Sequence, residues 1–189
     1  IAELLFRVGR PHDGVLGIVP GLAGMHDVDD YPGARTIPGL VVYRYDSPLY
    51  FANAEDFRER ALKALDDAAA TVNRTGSQHP VEWFVLNAEA NVEIDITSAD
   101  ALDQLRNELH QRGFTFAMAR VKQDLRDDLV RAGLVDRIGV DLIFPTLPTA
   151  VAAYLGWYRA RHGALPPGVR GITPPVDCMK DPKAPGCPV

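Results

Sequence analysis

The strongest constraint on the fold of this chain is the alternation of strand-like and helix-like stretches between residues 40 and 162. Short runs rich in branched and aromatic residues are typical of buried strands, and they occur at residues 40–45, 81–86, 114–119 and 140–144. After each run, apolar residues recur every three or four positions, which is typical of a helix that buries one face. The predicted order is strand then helix, repeated about four times.

This alternation predicts the fold class. A helix between two strands provides the crossover that parallel pairing needs. We therefore expect an α/β fold with a mixed, mostly parallel sheet of about five strands and four to five helices packed on it. A further apolar stretch at residues 15–19 is expected to pair antiparallel with residues 40–45 through the long loop between them.

Polar residues at the predicted helix starts indicate N-caps. Asn53 can cap the first helix and Thr146 the last. Thr97 or Ser98 can cap the second, and Asp100, three residues after Thr97, would form a weaker variant of the capping box.

Glycine and proline mark the flanks of the predicted domain. We expect a linker over residues 1–13, one domain over 14–162, made of a short strand and loop (14–39) and a core (40–162), and a flexible tail over 163–189. Seven of the 15 prolines lie in the last 24 residues, together with both cysteines, Cys178 and Cys187. The chain opens on Ile1 and its first methionine is Met25, so we expect a piece of a longer protein.

Composition excludes several classes of function. The formal net charge of −5 disfavours a nucleic-acid partner, which needs a concentrated basic surface. The apolar runs fall short of the roughly 20 residues that a membrane helix needs. Two cysteines alone do not make a zinc site, and the carboxylates of residues 25–30 lack calcium-loop spacing, so we predict no metal and no cofactor.

Three carboxylates follow the second predicted strand closely: Glu89, Glu93 and Asp95. Paired carboxylates can perform acid–base catalysis, but exposed loop residues explain the same pattern. No serine or cysteine nucleophile stands beside a histidine in a hydrolase pattern, and we expect no enzyme activity.

The junction of Asp95 with Thr97 and Ser98 is the most informative polar site. A hydroxyl at a helix start faces free backbone amides, so a phosphate or another anion would be stabilised there. An ordinary N-cap has the same appearance, and spacing alone favours the cap.

Several segments together resemble a known family, the STAS domain, in the form that ends SulP-type anion permeases. They are RPHDGVLGIVPG (10–21), IPGLVVYRYDSPLYFANAEDF (37–57), VEWFVLNAEANVEIDITSADAL (81–102), RGFTFAMARV (112–121) and RAGLVDRIGVDLIFPTLPTAV (131–151). The phrase YRYDSPLYFANAEDF is the most specific, because it is typical of the permease branch.

The resemblance implies a non-catalytic regulatory and interaction domain of a secondary active transporter for sulfate or a related anion. The domain would lie on the cytoplasmic face of the membrane, after the transmembrane domain of the same polypeptide, in a transporter that could be a homodimer. The alternative is a soluble switch like an anti-sigma-factor antagonist, which binds a kinase or another protein.

The resemblance also implies a regulatory edge. In antagonist relatives a serine two residues after an aspartate is phosphorylated, and Thr97 after Asp95 occupies that place, although Ala99 stands where glycine is frequent. Some family members bind nucleotides or protein partners near this edge, and the resemblance implies that Asn53, Asn91 and Glu93 would contribute to such a surface. A nucleotide is therefore the one small-molecule ligand that the resemblance suggests.

Overall fold

The computed structural model describes residues 11–169, which contain six strands and five helices. The strands are β1 (Asp13–Ile18), β2 (Met25–Asp27), β3 (Leu40–Tyr45), β4 (Trp83–Asn87), β5 (Thr115–Ala119) and β6 (Ile143–Phe144). The helices are α1 (Ala54–Thr75), α2 (Ile96–Gln111), α3 (Gln123–Arg131), α4 (Leu134–Ile138) and α5 (Leu147–His162).

All six strands form one mixed sheet in the order β2-β1-β3-β4-β5-β6. The four strands from β3 to β6 are parallel, with Val42 opposite Val85 and Val85 opposite Ala117. β1 pairs antiparallel with both β2 and β3. The predicted α/β class and the antiparallel pairing of the first strand are confirmed.

Four helices cover one face of the sheet. Side chains at alternate strand positions, such as Tyr43, Phe84 and Phe116, are buried beneath the apolar stripes of α1 to α4. The stripe of α2 consists of Leu102, Leu105 and Leu109. This larger core matches the helix periodicity of the sequence.

A single helix, α5, covers the other face. Val42, Trp83 and Val85 point to this side and pack against α5 residues such as Tyr154. The Tyr154 hydroxyl donates a hydrogen bond to the Pro38 carbonyl at 2.6 Å, which fixes α5 near the amino ends of the parallel strands. The central strands β3, β4 and β5 therefore have both faces buried, as their continuous apolar sequences predict.

The sequence did not predict β2. Residues 25–30 belong to the loop expected within residues 14–39, but Met25–Asp27 forms the edge strand, and the Asp27 side chain is buried. The side chain fits because residue 14 is glycine: a Cβ there would collide with the Asp27 carboxylate. A strand of three residues is too short to show a periodic pattern, and the role of Gly14 in making room for Asp27 cannot be recognised from neighbouring sequence.

The third predicted helix, α3, ends just before Gly133, and a further short helix, α4, follows that the sequence did not predict. Gly133 adopts a left-handed backbone conformation (φ 68°), which residues other than glycine rarely adopt, and so turns the chain between α3 and α4. The predicted strand at residues 140–144 is mostly a 3₁₀ turn, and only Ile143–Phe144 pairs with β5.

The domain boundaries stay predictions. Most of the predicted linker and tail, including both cysteines, lies outside the described residues. Within the described part of the tail, Val169 is buried against the α5 side of the sheet.

Candidate functional site

The carboxyl ends of β3 and β4 carry two loops, residues 46–53 and 88–95, that lead into α1 and α2. The loops continue the parallel pairing past the strands, because Leu49 forms an isolated parallel bridge with Ile94. The Leu49 N–H points to the Glu93 carbonyl at 3.4 Å. We call the surface formed by these loops and the first turn of α2 the regulatory edge.

Two buried asparagines hold the regulatory edge together from inside. The Asn91 amide donates hydrogen bonds to the carbonyls of Tyr45 (3.1 Å) and Ser47 (2.6 Å), which joins the two loops. Asn53 occupies the N-cap position of α1, but its side chain makes no cap bond. Instead its amide donates to the Pro48 carbonyl (3.0 Å) and its oxygen accepts from the Tyr50 N–H (2.9 Å).

Asp95, rather than Thr97 or Ser98, is the N-cap of α2. Its Oδ1 accepts the Ser98 N–H at 2.8 Å, and Ser98 Oγ accepts the Asp95 N–H at 3.0 Å, so the two residues form a reciprocal capping box. The predicted box of Thr97 with Asp100 is wrong by two residues. The helix begins at Ile96, so Thr97 and Ser98 are already helical residues and Asp95 occupies the cap position.

Asp95 also connects α2 to the neighbouring loop. Its Oδ2 accepts the Phe51 N–H at 2.7 Å, 44 residues away in sequence. Partial burial raises the pKa of this carboxyl group, but hydrogen bonds from Ser98, Phe51 and Thr97 outweigh that effect and hold the pKa below its usual range. Asp95 is therefore a charged junction between the two loops.

Ser98 is fully buried. Its Oγ lies within donating distance of the Leu49 carbonyl oxygen (2.8 Å) and of Asp95 Oδ1 (2.7 Å). A modifying enzyme has no access to this hydroxyl in the folded domain. Ser98 is a structural member of the regulatory edge.

Thr97 lies in the first turn of α2 and is exposed. Of the two predicted hydroxyls, only this one can receive a phosphate without unfolding the cap. Its place at the start of a 16-residue helix is electrostatically favourable for a negative group. Phosphorylation of Thr97 stays a prediction.

Two large apolar side chains flank Asp95 and face solvent: Phe51 is 75% exposed and Ile96 is 84% exposed. We call them the apolar pair. Sequence reasoning missed both. The exposure of Ile96 could have been predicted, because this residue does not lie on the buried face of α2 that Leu102, Leu105 and Leu109 form. The exposure of Phe51 could not, because this residue lies in a loop without periodicity.

Acidic side chains stand beside the apolar pair. A shallow hollow next to the β4–α2 loop is lined by Val92, Glu93, Asp124, Asp127, Asp128 and Arg131. Arg131 is ion-paired with Asp128, whose other oxygen accepts the Ile94 N–H at 3.2 Å. Glu93, Asp124 and Asp127 are exposed, and together we call these three the acidic hollow.

The structure does not gather the three carboxylates considered for acid–base chemistry into one site. Glu89 forms an ion pair with Arg120, Glu93 lies in the acidic hollow and Asp95 caps α2. Asn53 and Asn91, expected on a ligand surface, are buried, so a ligand would meet only Glu93 of that predicted set.

Neither a metal centre nor a membrane helix is found within residues 11–169. No group of three or more His, Cys, Asp or Glu side chains is arranged to hold a metal ion there. Among the helices from α1 to α5, none combines the length and apolarity of a membrane span.

Comparison with known proteins identifies similar domains. A family model described as the STAS domain matches residues 31–150. A protein named "Probable sulfate transporter" from Mycobacterium tuberculosis is 65% identical over 154 residues, which are 82% of this chain and 26% of that protein. High affinity sulfate transporter 2 of Stylosanthes hamata is 33% identical over 154 residues, 81% of this chain and 23% of that protein. This chain thus spans about a quarter of the length of these relatives.

Solved structures share the fold. The murine Slc26a9 anion transporter in its inward-facing state matches with a TM-score of 0.64 and 21% identity, over 80% of this chain and 23% of that one. A sulfate transporter family protein from Wolinella succinogenes matches with a TM-score of 0.50 and 21% identity, over 68% of this chain and 94% of that one.

Proposed function

This chain belongs to the STAS domain family, and on that basis we propose that it is the regulatory and interaction domain of a membrane transporter for sulfate or a related anion. In this proposal the domain lies on the cytoplasmic face of the membrane and performs no catalysis of its own. It acts on transport through contacts with the rest of the polypeptide, and it requires no cofactor.

The observation that carries the proposal is the 65% identity with the M. tuberculosis protein over 154 residues. At that level of identity the two domains share one fold. The matched part is 26% of that relative, which leaves room for a membrane part in the same polypeptide.

The geometry of the regulatory edge supports interaction rather than chemistry. The buried Asn91 and Ser98 and the partly buried Asp95 form hydrogen bonds with backbone atoms of the neighbouring loops. What the edge offers to solvent is the apolar pair, the Thr97 hydroxyl and the acidic hollow. Exposed apolar side chains on a rigid frame suit a protein contact.

Uptake of labelled sulfate tests the proposal. The full-length polypeptide that contains this chain is produced in cells that lack their own sulfate uptake, with and without residues 14–162. We expect the deletion to change uptake at least about tenfold after correction for the amount of protein in the membrane, because a coupling of about 1.4 kcal/mol gives that factor.

Deletion of residues 170–189 is the matched control, since it shortens the chain but keeps every residue that the structure describes, including the buried Val169. Uptake that is unchanged when residues 14–162 are removed would overturn the proposal, and so would a full-length gene product without membrane helices.

A second candidate is a soluble phospho-switch that binds a protein partner. The exposed Thr97 at the start of α2 favours it. This function predicts that Thr97→Glu abolishes partner binding while Thr97→Ala preserves it, both in a folded domain. Binding that is the same for the two variants would exclude the switch.

A further inference from the structure

The apolar pair is held in a fixed arrangement. The carboxylate of Asp95 accepts the Phe51 N–H at 2.7 Å, and Ile96 is the next residue in the chain. The bridge between Leu49 and Ile94 aligns the two loops directly before these residues. The backbone of Phe51 is therefore joined to the residue that precedes Ile96, and both side chains are exposed from backbone that is already ordered.

This order matters for binding. Association normally loses free energy when loops must become ordered, and a preorganised surface avoids that loss. Burial of a Phe or Ile side chain contributes about 1.5–3 kcal/mol relative to full exposure. Two such side chains at a rigid junction are suited to be the anchors of an interface.

The charge around the apolar pair restricts the partner. Glu93 of the acidic hollow lies three residues before Ile96, and Asp100 is exposed one turn after it. The basic side chain of the hollow, Arg131, is already paired with Asp128. The surface thus combines apolar anchors with uncompensated negative charge, which complements an apolar segment that carries Lys or Arg.

We infer that the apolar pair and the acidic hollow bind a basic, apolar-bearing peptide segment on the cytoplasmic side of the membrane part of the same polypeptide. The inference rests on the proposed function and specifies which surface of the domain contacts the membrane part. Cytoplasmic loops of membrane proteins carry an excess of Lys and Arg, which gives them the complementary charge. A segment tethered in the same polypeptide also has a high effective concentration, so a small interface suffices.

Charge disfavours two other occupants. An anionic lipid surface would be repelled by Glu93, Asp124 and Asp127. A second copy of this domain would bring the same acidic groups against themselves, in a chain of formal net charge −5.

Site-specific photocrosslinking in the full-length polypeptide tests the inference. A benzophenone amino acid replaces Phe51, membranes that contain the protein are irradiated, and the joined peptides are identified by mass spectrometry. The matched control carries the same group at Leu22, which is 48% exposed in the β1–β2 connection. Because β1 runs antiparallel to β3, this connection lies toward the amino ends of the parallel strands, away from the two loops at their carboxyl ends. We expect position 51 to join a Lys- or Arg-containing cytoplasmic loop of the membrane part at least about tenfold more than position 22 does.

Charge reversal in the acidic hollow provides the second arm. With the photoreactive group at position 51, the triple change Glu93→Lys, Asp124→Lys and Asp127→Lys should reduce the crosslink about tenfold, because the basic loop then meets like charge. The three side chains are exposed, and an unchanged circular dichroism spectrum verifies the fold.

Crosslinks only to lipid, crosslinks only to a second copy of this domain, or a yield no higher than that of position 22 would each overturn the inference. These failures are separable from failure of the proposed function. If deletion of residues 14–162 changes sulfate uptake while position 51 does not join the membrane part, the regulatory function stands and this contact is wrong. If the deletion leaves uptake unchanged, the proposed function itself fails.

Discussion

Two helices of this domain begin with the same device in different surroundings. α2 starts with a capping box of Asp95 and Ser98, and α5 starts with a capping box of Thr146 and Thr149. In both, the N-cap side chain accepts the N–H of the third helical residue, and that residue's hydroxyl accepts the N–H of the cap. The local chemistry is equivalent.

The surroundings differ. The hydrogen bonds of the α5 box stay within residues 146–149, and Thr146 is exposed. The α2 box also reaches the loop after β3: Ser98 is buried against the Leu49 carbonyl and Asp95 accepts the Phe51 N–H. The α5 box only caps the start of its helix. The α2 box caps its helix and also joins it to the loop after β3, which positions the apolar pair.

The largest expected difference follows from placing a carboxylate at the third helical residue. Ser98→Glu would place a charge in a fully buried site beside Asp95, and we expect a loss of at least about 3 kcal/mol in the free energy of unfolding. Thr149→Glu would create the common Thr-x-x-Glu box on a surface helix, and its effect should stay within about 0.5 kcal/mol. Urea unfolding followed by circular dichroism measures both.

Equal losses in these two variants would show that the α2 box is no more than a local cap. Ser98→Ala removes the hydroxyl hydrogen bonds without adding a carboxylate. It therefore separates the loss of stability due to the missing bonds from the loss due to the buried charge. Its loss should lie between those of Ser98→Glu and Thr149→Glu.

A smaller difference is expected from removal of the N-cap side chains. Thr146→Ala should cost about 1 kcal/mol, the usual value for a cap. Asp95→Ala should cost about 2 kcal/mol, because the Phe51 N–H also loses its charged acceptor. The measurement is again urea unfolding, and hydrogen exchange at the Phe51 amide should become faster in Asp95→Ala only. An unchanged exchange rate at that amide would contradict the proposed role of Asp95 as a link between α2 and the loop after β3.

The same contrast shows what the sequence could predict. The α2 stripe of Leu102, Leu105 and Leu109 and the apolar strands carry their signal in short-range periodicity, so the alternation and the α/β class could be predicted. The Thr146 cap is local as well, and its prediction is confirmed.

The regulatory edge depends on contacts between distant residues. The bond from Phe51 to Asp95 spans 44 residues and that from Ser98 to Leu49 spans 49, so no window of sequence contains them. The sequence does contain the Asp95-x-x-Ser98 spacing of a capping box. The predicted box of Thr97 with Asp100 was two residues too late, because the helix already begins after Asp95. The edge strand β2 was missed for the same physical reason: Asp27 is buried because Gly14 leaves it room.

Acid should weaken the α2 box and leave the α5 box unchanged. The pKa of Asp95 is lowered in the folded domain, so its charged form stabilises the fold above the carboxyl pKa of the unfolded chain, about 4, and that stabilisation is lost as the pH falls through the lower folded value. The difference in unfolding free energy between wild type and Asp95→Asn should be constant from about pH 7 to 5 and shrink below about pH 4. Thr146→Ala has no carboxylate in its box, so its difference from wild type should not vary with pH.

The smallest expected effect on stability, that of Thr97→Glu, separates the two candidate functions most clearly. Thr97 is exposed in the first turn of α2, where the helix dipole favours a negative charge and Asp100 opposes it, so the free energy of unfolding should change by no more than about 0.5 kcal/mol. A soluble phospho-switch predicts that partner binding is abolished. Contact with a basic segment predicts the opposite sign, because the introduced carboxylate would stand beside Ile96 and extend the negative charge of the acidic hollow. The crosslink from position 51 to the membrane part should then rise about twofold, and a fall would favour the switch over the transporter contact.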